Sequence, residues 1–378
     1  MIRAAVRAAF TLLLVHAAAC DAPPLATTVH STPYPEHLAA WGLVGIDDRK
    51  LILAERVLPY DLATPLFSDY AHKLRTVWLP PDTSATYHPT GVFDFPVGTI
   101  VSKTFYYPRA ANVATLVLAT ENTGTDSAAP GLDLNDVRLV ETRLLVRAPA
   151  GWTALAYVWN DAQDDAMLQI AGAVVPLDAV MPDGTTTTLQ YLVPTKNDCA
   201  NCHTTDLGSR SIQPIGLAAR HLDKTYERYA DGHAPQLARW REVGYLAGDA
   251  DGGPAPNALW AADATDHLDH RARSYLDINC GHCHSRTGPA DTSGLFLDAA
   301  ETSLRRLGAC KPPVAAGRGT GGHANVILPG KPDASILVYR LQTIDPGEMM
   351  PELGRTVAHT AGVNLISRWV GAMSHDCG

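Results

Sequence analysis

Two copies of one short pattern constrain this chain more than anything else in it. They are Asp198-Cys199-Ala200-Asn201-Cys202-His203 and Asn279-Cys280-Gly281-His282-Cys283-His284. In Cys-x-x-Cys-His, two thiols three residues apart lie on one helical turn and can form thioethers with the two vinyl groups of one porphyrin. The next residue then offers its imidazole to the iron. The competing reading is zinc, which also takes Cys-x-x-Cys pairs. However, the two pairs stand far apart in the sequence, whereas a zinc ribbon keeps its knuckles close, and both carry His at the same offset. The pattern predicts two covalently bound haem c groups, on Cys199, Cys202 and His203 and on Cys280, Cys283 and His284. His203 and His284 are the proximal iron ligands in this reading.

Attachment of this kind belongs outside the cytoplasm, and the first 20 residues fit that address. Arg3 and Arg7 form a basic start, Ala8 to Ala19 an apolar stretch too short to span a membrane, and Ala17-Ala18-Ala19-Cys20 a small-residue close. Cys20 stands where a lipoprotein carries its lipid, although Ala17 replaces the usual Leu. The alternative is ordinary cleavage with Cys20 incidental. The expectation is a periplasmic protein, lipid-anchored through Cys20, in which no other segment approaches membrane-spanning length. Seven cysteines occur in all. Once Cys20 and the four motif thiols are set aside, Cys310 and Cys377 remain, and an even remainder in an exported chain predicts a disulfide, with two free thiols as the alternative.

The 378 residues suffice for two or three domains, and 46% apolar with 18% charged residues suits a globular chain with a real core. A net charge of −9 without clustered Lys and Arg argues against a nucleic-acid partner. It suits a redox protein that meets a basic patch on its donor or acceptor.

In order, 1–20 reads as the signal and 21–60 as a tether and lead-in with a short helical piece near Glu36–Leu43. Residues 61–193 read as an all-β sandwich or jelly-roll. Its clearest strand turns Val140, Thr142, Leu144 and Val146 inward and Glu141, Arg143 and Arg147 outward, and Trp152–Trp159 is an apolar central strand. Further strands are expected at Arg75–Leu79, Thr99–Tyr107, Val113–Leu118, Ala166–Val175 and Thr187–Val193, with turn signals between them. Residues 194–262 read as a first all-α haem unit, with a helix near Pro235–Leu246 carrying Leu237, Trp240 and Val243 on one face. Residues 263–378 read as a second. Its opening helix, capped by Thr265 or Asp266, carries Leu268, Ala272, Tyr275 and Leu276, and its last runs from about Thr360 to Ala372. The expected fold class is therefore α+β and multidomain: a sandwich followed by two all-α units.

A helix entering Cys-x-x-Cys-His, a late Met-Pro at Met350-Pro351 and a final amphipathic helix resemble class I c-type cytochromes, well over 265–378 and less well over 195–250. The resemblance implies that the first and last helices cross and that a Met reaches the iron's distal face. Met350 is the better candidate and Met349 its neighbour. Pro65-Leu66-Phe67-Ser68-Asp69-Tyr70-Ala71, Phe95-Pro96-Val97-Gly98 with Lys103-Thr104-Phe105, and Pro214-Ile215-Gly216 are similar to a family of exported bacterial di-haem cytochrome-like proteins. That likeness implies architecture and no reaction.

A thioether on the second iron would raise its potential. For the first iron no Met lies between His203 and Met349, leaving His221, His233, Met181 or an open position. His282 reads as an exposed filler, and Arg340 as either a propionate partner or a surface charge. The function expected is single-electron transfer between exported redox partners, as a carrier rather than a catalyst. The alternative is a peroxidase- or oxidase-like di-haem enzyme whose first haem is open. A third possibility makes the β region a recognition module.

Overall fold

The structure is a computed structural model describing residues 25–111, 113–123, 130–248, 253, 255–260, 267–374 and 376–377. The signal stretch with Cys20 and the Thr265/Asp266 cap lie outside the described residues.

Hairpin-forming strands dominate because the first half alternates β-branched and aromatic residues between turn residues. They are β1 (Val44–Asp47), β2 (Lys50–Leu53), β3 (Leu58–Tyr60), β4 (His72–Trp78), β5 (Ala85–Thr86), β6 (Ile100–Ala110), β7 (Val113–Leu118), β8 (Leu132–Asp133), β9 (Val137–Ala148), β10 (Gly151–Trp159), β11 (Ala166–Leu168), β12 (Ala173–Val180) and β13 (Thr186–Val193). One nine-stranded sheet runs β11-β10-β9-β6-β7-β12-β13, with β4 pairing both β3 and β6. The expected strand over Ala166–Val175 divides into β11 and β12, with Gly172 at φ 73° between them.

The expected sandwich with two all-α units is not what forms. The chain is mostly β, 29% strand against 20% helix, with a curled half-barrel sheet and only short helices. The helices after the sheet explain why. They are α1 (Lys196–His203), α2 (Ala219–Leu222) and α3 (Gln236–Glu242), of eight, four and seven residues. Helices this short cannot enclose a core of their own. Between and after them the chain returns to strand, in β14 (Thr225–Tyr229), β15 (Gly232–Pro235) and β16 (Leu246–Ala247), the last pairing with β5. Leu217, Leu222, Trp240 and Tyr245 share one core with Tyr60, Val77, Leu79, Phe93 and Val101. The 194–262 stretch therefore borrows its apolar surface from the sheet. Val243, expected beside Trp240, is exposed, because α3 ends before it.

The last third holds α4 (Leu268–Leu276), α5 (Ile336–Gln342) and α6 (Thr360–Gly371). Ala272, Tyr275 and Leu276 of α4 meet Val363, Ile366, Trp369 and Val370 of α6 in one core with Leu295, Leu297 and Leu337. Much of the remainder of this third is turn and loop.

One face of the sheet packs Leu74, Trp78, Ile100, Tyr106, Leu144, Val146 and Tyr157 with Leu38, Trp41, Leu43 and Leu51 of the lead-in. Glu141, Arg143 and Arg147 read as outward on the other face. Instead α1 lies against β10, and Glu141 is fully buried. Its residues follow from the register: Arg75 pairs with Lys103, Lys103 with Arg143, and Arg143 with Ala156.

Candidate functional site

The first motif is built by its helix cap. Thr195 Oγ1 accepts from the Asp198 amide at 3.1 Å, and Asp198 Oδ2 accepts from the Thr195 amide at 3.0 Å. This capping box fixes where α1 starts. Cys199, Cys202 and His203 then share a helical face at spacings of three and four. His203 Nδ1 donates to the Gln213 carbonyl at 2.7 Å. A carbonyl can only accept, so the proton sits on Nδ1 and leaves the Nε2 lone pair free, the tautomer an iron ligand needs. Burial holds this imidazole neutral, its pKa down at about 3.

The second motif follows α4 through a π-type turn, Asp277–Gly281. Two residues in it act as struts that sequence reasoning missed. Asn279 accepts from the Phe67 amide at 2.9 Å and donates to the Pro65 and Tyr275 carbonyls at 3.0 Å each. Asp277 accepts from Arg220 Nε at 2.7 Å and from the Ala299 amide at 2.9 Å. His284 stands half-buried, also held neutral by burial with a pKa near 4, and its Nδ1 is 3.5 Å from Ser293 Oγ.

A cleft of about 420 Å³ opens beside this motif, within the size range of cofactor sites. Cys280, Cys283, His284 and Met350 all line it, with Leu295, Leu297, Ile336, Leu337 and Arg340. Met349 is buried and does not line it. The Met350 loop is pinned by buried Arg355, which donates to the carbonyls of Met350 (3.2 Å), Arg340 (2.9 Å), Thr343 (3.0 Å) and Val357 (3.2 Å). Arg340 Nε donates to the Glu348 carbonyl at 2.8 Å, so it is neither free nor a mere surface charge. The stretch after Pro65 locks the same loop: Asp69 accepts from the Thr356 and Val357 amides at 2.6 and 3.0 Å, and the Phe67 ring stacks on His359 at 4.2 Å.

No family model matches the chain, and neither the curated proteins nor the solved structures contain a match. The site must therefore be read from its own chemistry.

The two motifs touch. The Leu207 amide donates to the Thr287 carbonyl at 2.8 Å, Thr287 Oγ1 to the Thr205 carbonyl at 3.2 Å, and Cys283 Sγ lies 3.9 Å from the Asn201 carbonyl. All four motif cysteines are unbridged, while Cys310 and Cys377 form a disulfide with 5.2 Å between Cα atoms. Burial pushes the Cys280 and Cys283 thiols up to about 12 and raises Cys199 and Cys202. These are buried, protonated thiols. Among the described residues, no three His, Cys, Asp or Glu side chains converge on a common ion position. The donor set fits a c-type haem at each motif: two thiols on one turn, a following imidazole with a free nitrogen, and an apolar cleft at the second.

The first motif faces the charged row of the sheet. Arg143 and Lys103 are the cations nearest its thiols. Arg143 ion-pairs with Glu141, which also accepts from Tyr191 Oη at 2.6 Å, and the guanidinium lies 4.4 Å from the Phe105 ring. Asp61 pairs with Arg75 at 2.8 Å and Lys224 at 3.2 Å. Lys103 makes only a ring contact with Phe105, at 5.0 Å, among the described residues. Burial, then Arg143 and Arg75, lowers its pKa to about 7. Three like charges side by side on neighbouring strands are destabilising on their own, and the Glu141 and Asp61 carboxylates offset two of them.

The distal candidates for the first iron fall away. His221 is buried, held by Asn257 Nδ2 and 3.5 Å from Asp277. Although that contact resembles an ion pair, Arg220 already neutralises Asp277, and burial keeps His221 neutral with a pKa near 4. His233 is exposed on β15. Met181 sits at the β12–β13 hairpin tip, the length of β13 from α1, roughly 25 Å at ~3.3 Å per residue.

Proposed function

We propose that this protein is an exported di-haem c-type cytochrome that passes single electrons between redox proteins. The observation that carries the reading is the one cleft that Cys280, Cys283, His284 and Met350 line together. In this reading Cys199 and Cys202 hold one haem and Cys280 and Cys283 the other, while His203 and His284 supply the proximal nitrogens. A c-type haem supplies one-electron exchange between ferrous and ferric iron when bound.

The remaining work falls to the chain. Gln213 and the capping box fix the His203 ring, and Arg355 holds the Met350 loop at the cleft. Leu295, Leu297 and Leu337 exclude water from it, and Arg75, Lys103 and Arg143 supply counter-charge for carboxylates beside the first motif. The acidic surface, net −9, favours small, transient contact with basic patches on a donor and an acceptor. No nucleic-acid role is proposed. Residues 1–20 and Cys20 support a periplasmic address with a lipid anchor. No helix among the described residues is long and apolar enough to cross a membrane.

The test is production in a host that attaches c-type haem. Mass spectrometry should find two covalent haems, reduced to one by Cys199→Ala with Cys202→Ala or by Cys280→Ala with Cys283→Ala. Absence of both groups refutes the reading. The in-register cations beside the first motif favour a second reading, an enzyme that binds a small anion at an open first haem. Ferric paramagnetic resonance separates the two: a high-spin signal that shifts with cyanide supports the enzyme, and two low-spin signals the carrier.

A further inference from the structure

The loop that follows each motif reaches across to the other. After His203 the chain runs to Leu207, whose amide donates to the Thr287 carbonyl at 2.8 Å. After His284 it runs to Thr287, whose Oγ1 donates to the Thr205 carbonyl at 3.2 Å. The turn that carries Thr287 back demands glycine at the next position. A Cβ on Gly288 would stand 2.3 Å from the Cys283 carbonyl oxygen and 2.9 Å from Ser285 Oγ, too close for any side chain. The Ala290 amide donates to that same carbonyl at 3.1 Å. This clasp is therefore part of the second motif's own packing.

What the clasp brings together is a sulfur and a peptide. Cys283 Sγ lies 3.9 Å from the Asn201 carbonyl oxygen, and that carbonyl belongs to the peptide bond of Cys202. Asn201 and Cys202 line the same cleft as Cys280, Cys283 and His284. His282, read from the sequence as an exposed filler, is half-buried and lines it too, its buried Nδ1 making no hydrogen bond among the described residues. A thioether joins a porphyrin edge directly to its cysteine sulfur. Each cofactor's edge would begin at these atoms whichever way its ring extends.

We propose that this contact is an internal electron crossing, with Leu207 and Thr287 as positioning residues that hold the Cys283 sulfur on the Cys202 peptide. The inference rests on the di-haem reading. One electron moves: the iron that gives it goes from ferrous to ferric and the other from ferric to ferrous, with no bond or proton exchanged. An electron delivered at either motif then reaches the other without a second protein between them. Neither motif needs docking sites for both the donor and the acceptor.

The experiment uses the full chain with haem attached, and the haems are counted first by mass. No haem in the unmodified protein overturns both this inference and the di-haem reading. With two haems present, flash-reduced deazaflavin gives an electron to the oxidised protein, and a flash-oxidised ruthenium complex takes one from the reduced protein. Both act at the more accessible haem, so one direction leaves the pair out of equilibrium, and absorbance follows its return. That return should have a rate independent of protein concentration. Leu207→Pro with Thr287→Val removes both clasp hydrogen bonds at exposed positions and alters no haem-attachment residue. Both haems should remain, and the return should slow about tenfold, because lost placement costs rate rather than cofactor. Haems that stay out of equilibrium, or return at a rate that scales with concentration, overturn the proposal. So does an unchanged rate in the clasp variant. If that variant fails to mature, dilution of the unmodified protein decides, since only an internal crossing keeps its rate on dilution.

Discussion

Replacing Glu141 by Gln tests the charged sheet face directly. Glu141 is fully buried in β9, where it accepts from Tyr191 Oη and pairs with Arg143. The substitution keeps the volume and deletes the charge. Arg143 is then left in register with Lys103, itself in register with Arg75. Strands lie ~4.8 Å apart. With roughly 5–7 Å between neighbouring charges and an effective dielectric near 20, each like-charge neighbour costs about 2–3 kcal/mol. Breaking a buried pair typically costs about 3–5 kcal/mol. Here Glu141 Oε2 and Arg143 Nε already lack partners, which places the loss at the lower end, about 3 kcal/mol. Urea unfolding of the haem-loaded protein at pH 7 measures it as a shifted midpoint at constant slope. Adding Arg143→Met should restore most of the stability, because it removes the unpaired charge. A loss under about 1 kcal/mol, the size of an exposed pair, refutes the reasoning. So does a double variant no more stable than the single one.

Met350→Ala should leave both haems attached and lower the potential of one; an unchanged redox titration removes Met350 as a ligand. Cys310→Ser with Cys377→Ser opens a link spanning 67 residues, which loop entropy puts at about 4 kcal/mol; thermal unfolding with no shift would contradict that figure. Burial holds His221 at a pKa of about 4, below the ordinary ~6.5. Between those values the unfolded chain binds a proton that the fold refuses, so stability should fall by up to about 3 kcal/mol as pH drops from about 6.5 to about 4. His221→Gln should flatten that decline in acid titrations monitored by circular dichroism, and an unaltered profile counts against it.

The local chemistry was legible because it is written at short range. Spacing of three and four residues places Cys199, Cys202 and His203 on one face whatever surrounds them, and strand alternation finds one core face for Leu144 and Val146, whereas a bulge in β9 carries Val140, expected beside them, into the core on the other face. The amphipathic pattern of 360–371 likewise finds its helix. What misled was the opposite face of β9. Glu141 and Arg143 alternate like solvent-facing residues, and no local rule says that α1 and the first motif will cover them.

The sequence alone therefore determined which residues carry the proposed haem-attachment pattern, because Cys-x-x-Cys-His is a spacing within a single turn. It also located several strands of the large sheet and the last helix through their apolar periods, but not β1–β3 or β14–β16. Tertiary structure alone decided the architecture. Helices of four to eight residues cannot bury a core, so the expected first haem unit dissolves into the sheet's own core around Trp240 and Phe93. It alone brought Met350 to the cleft of His284 and bound Asp69 to the loop at Thr356. Each of these joins residues distant in the chain, and only the packing of apolar surface brings such pairs within contact distance.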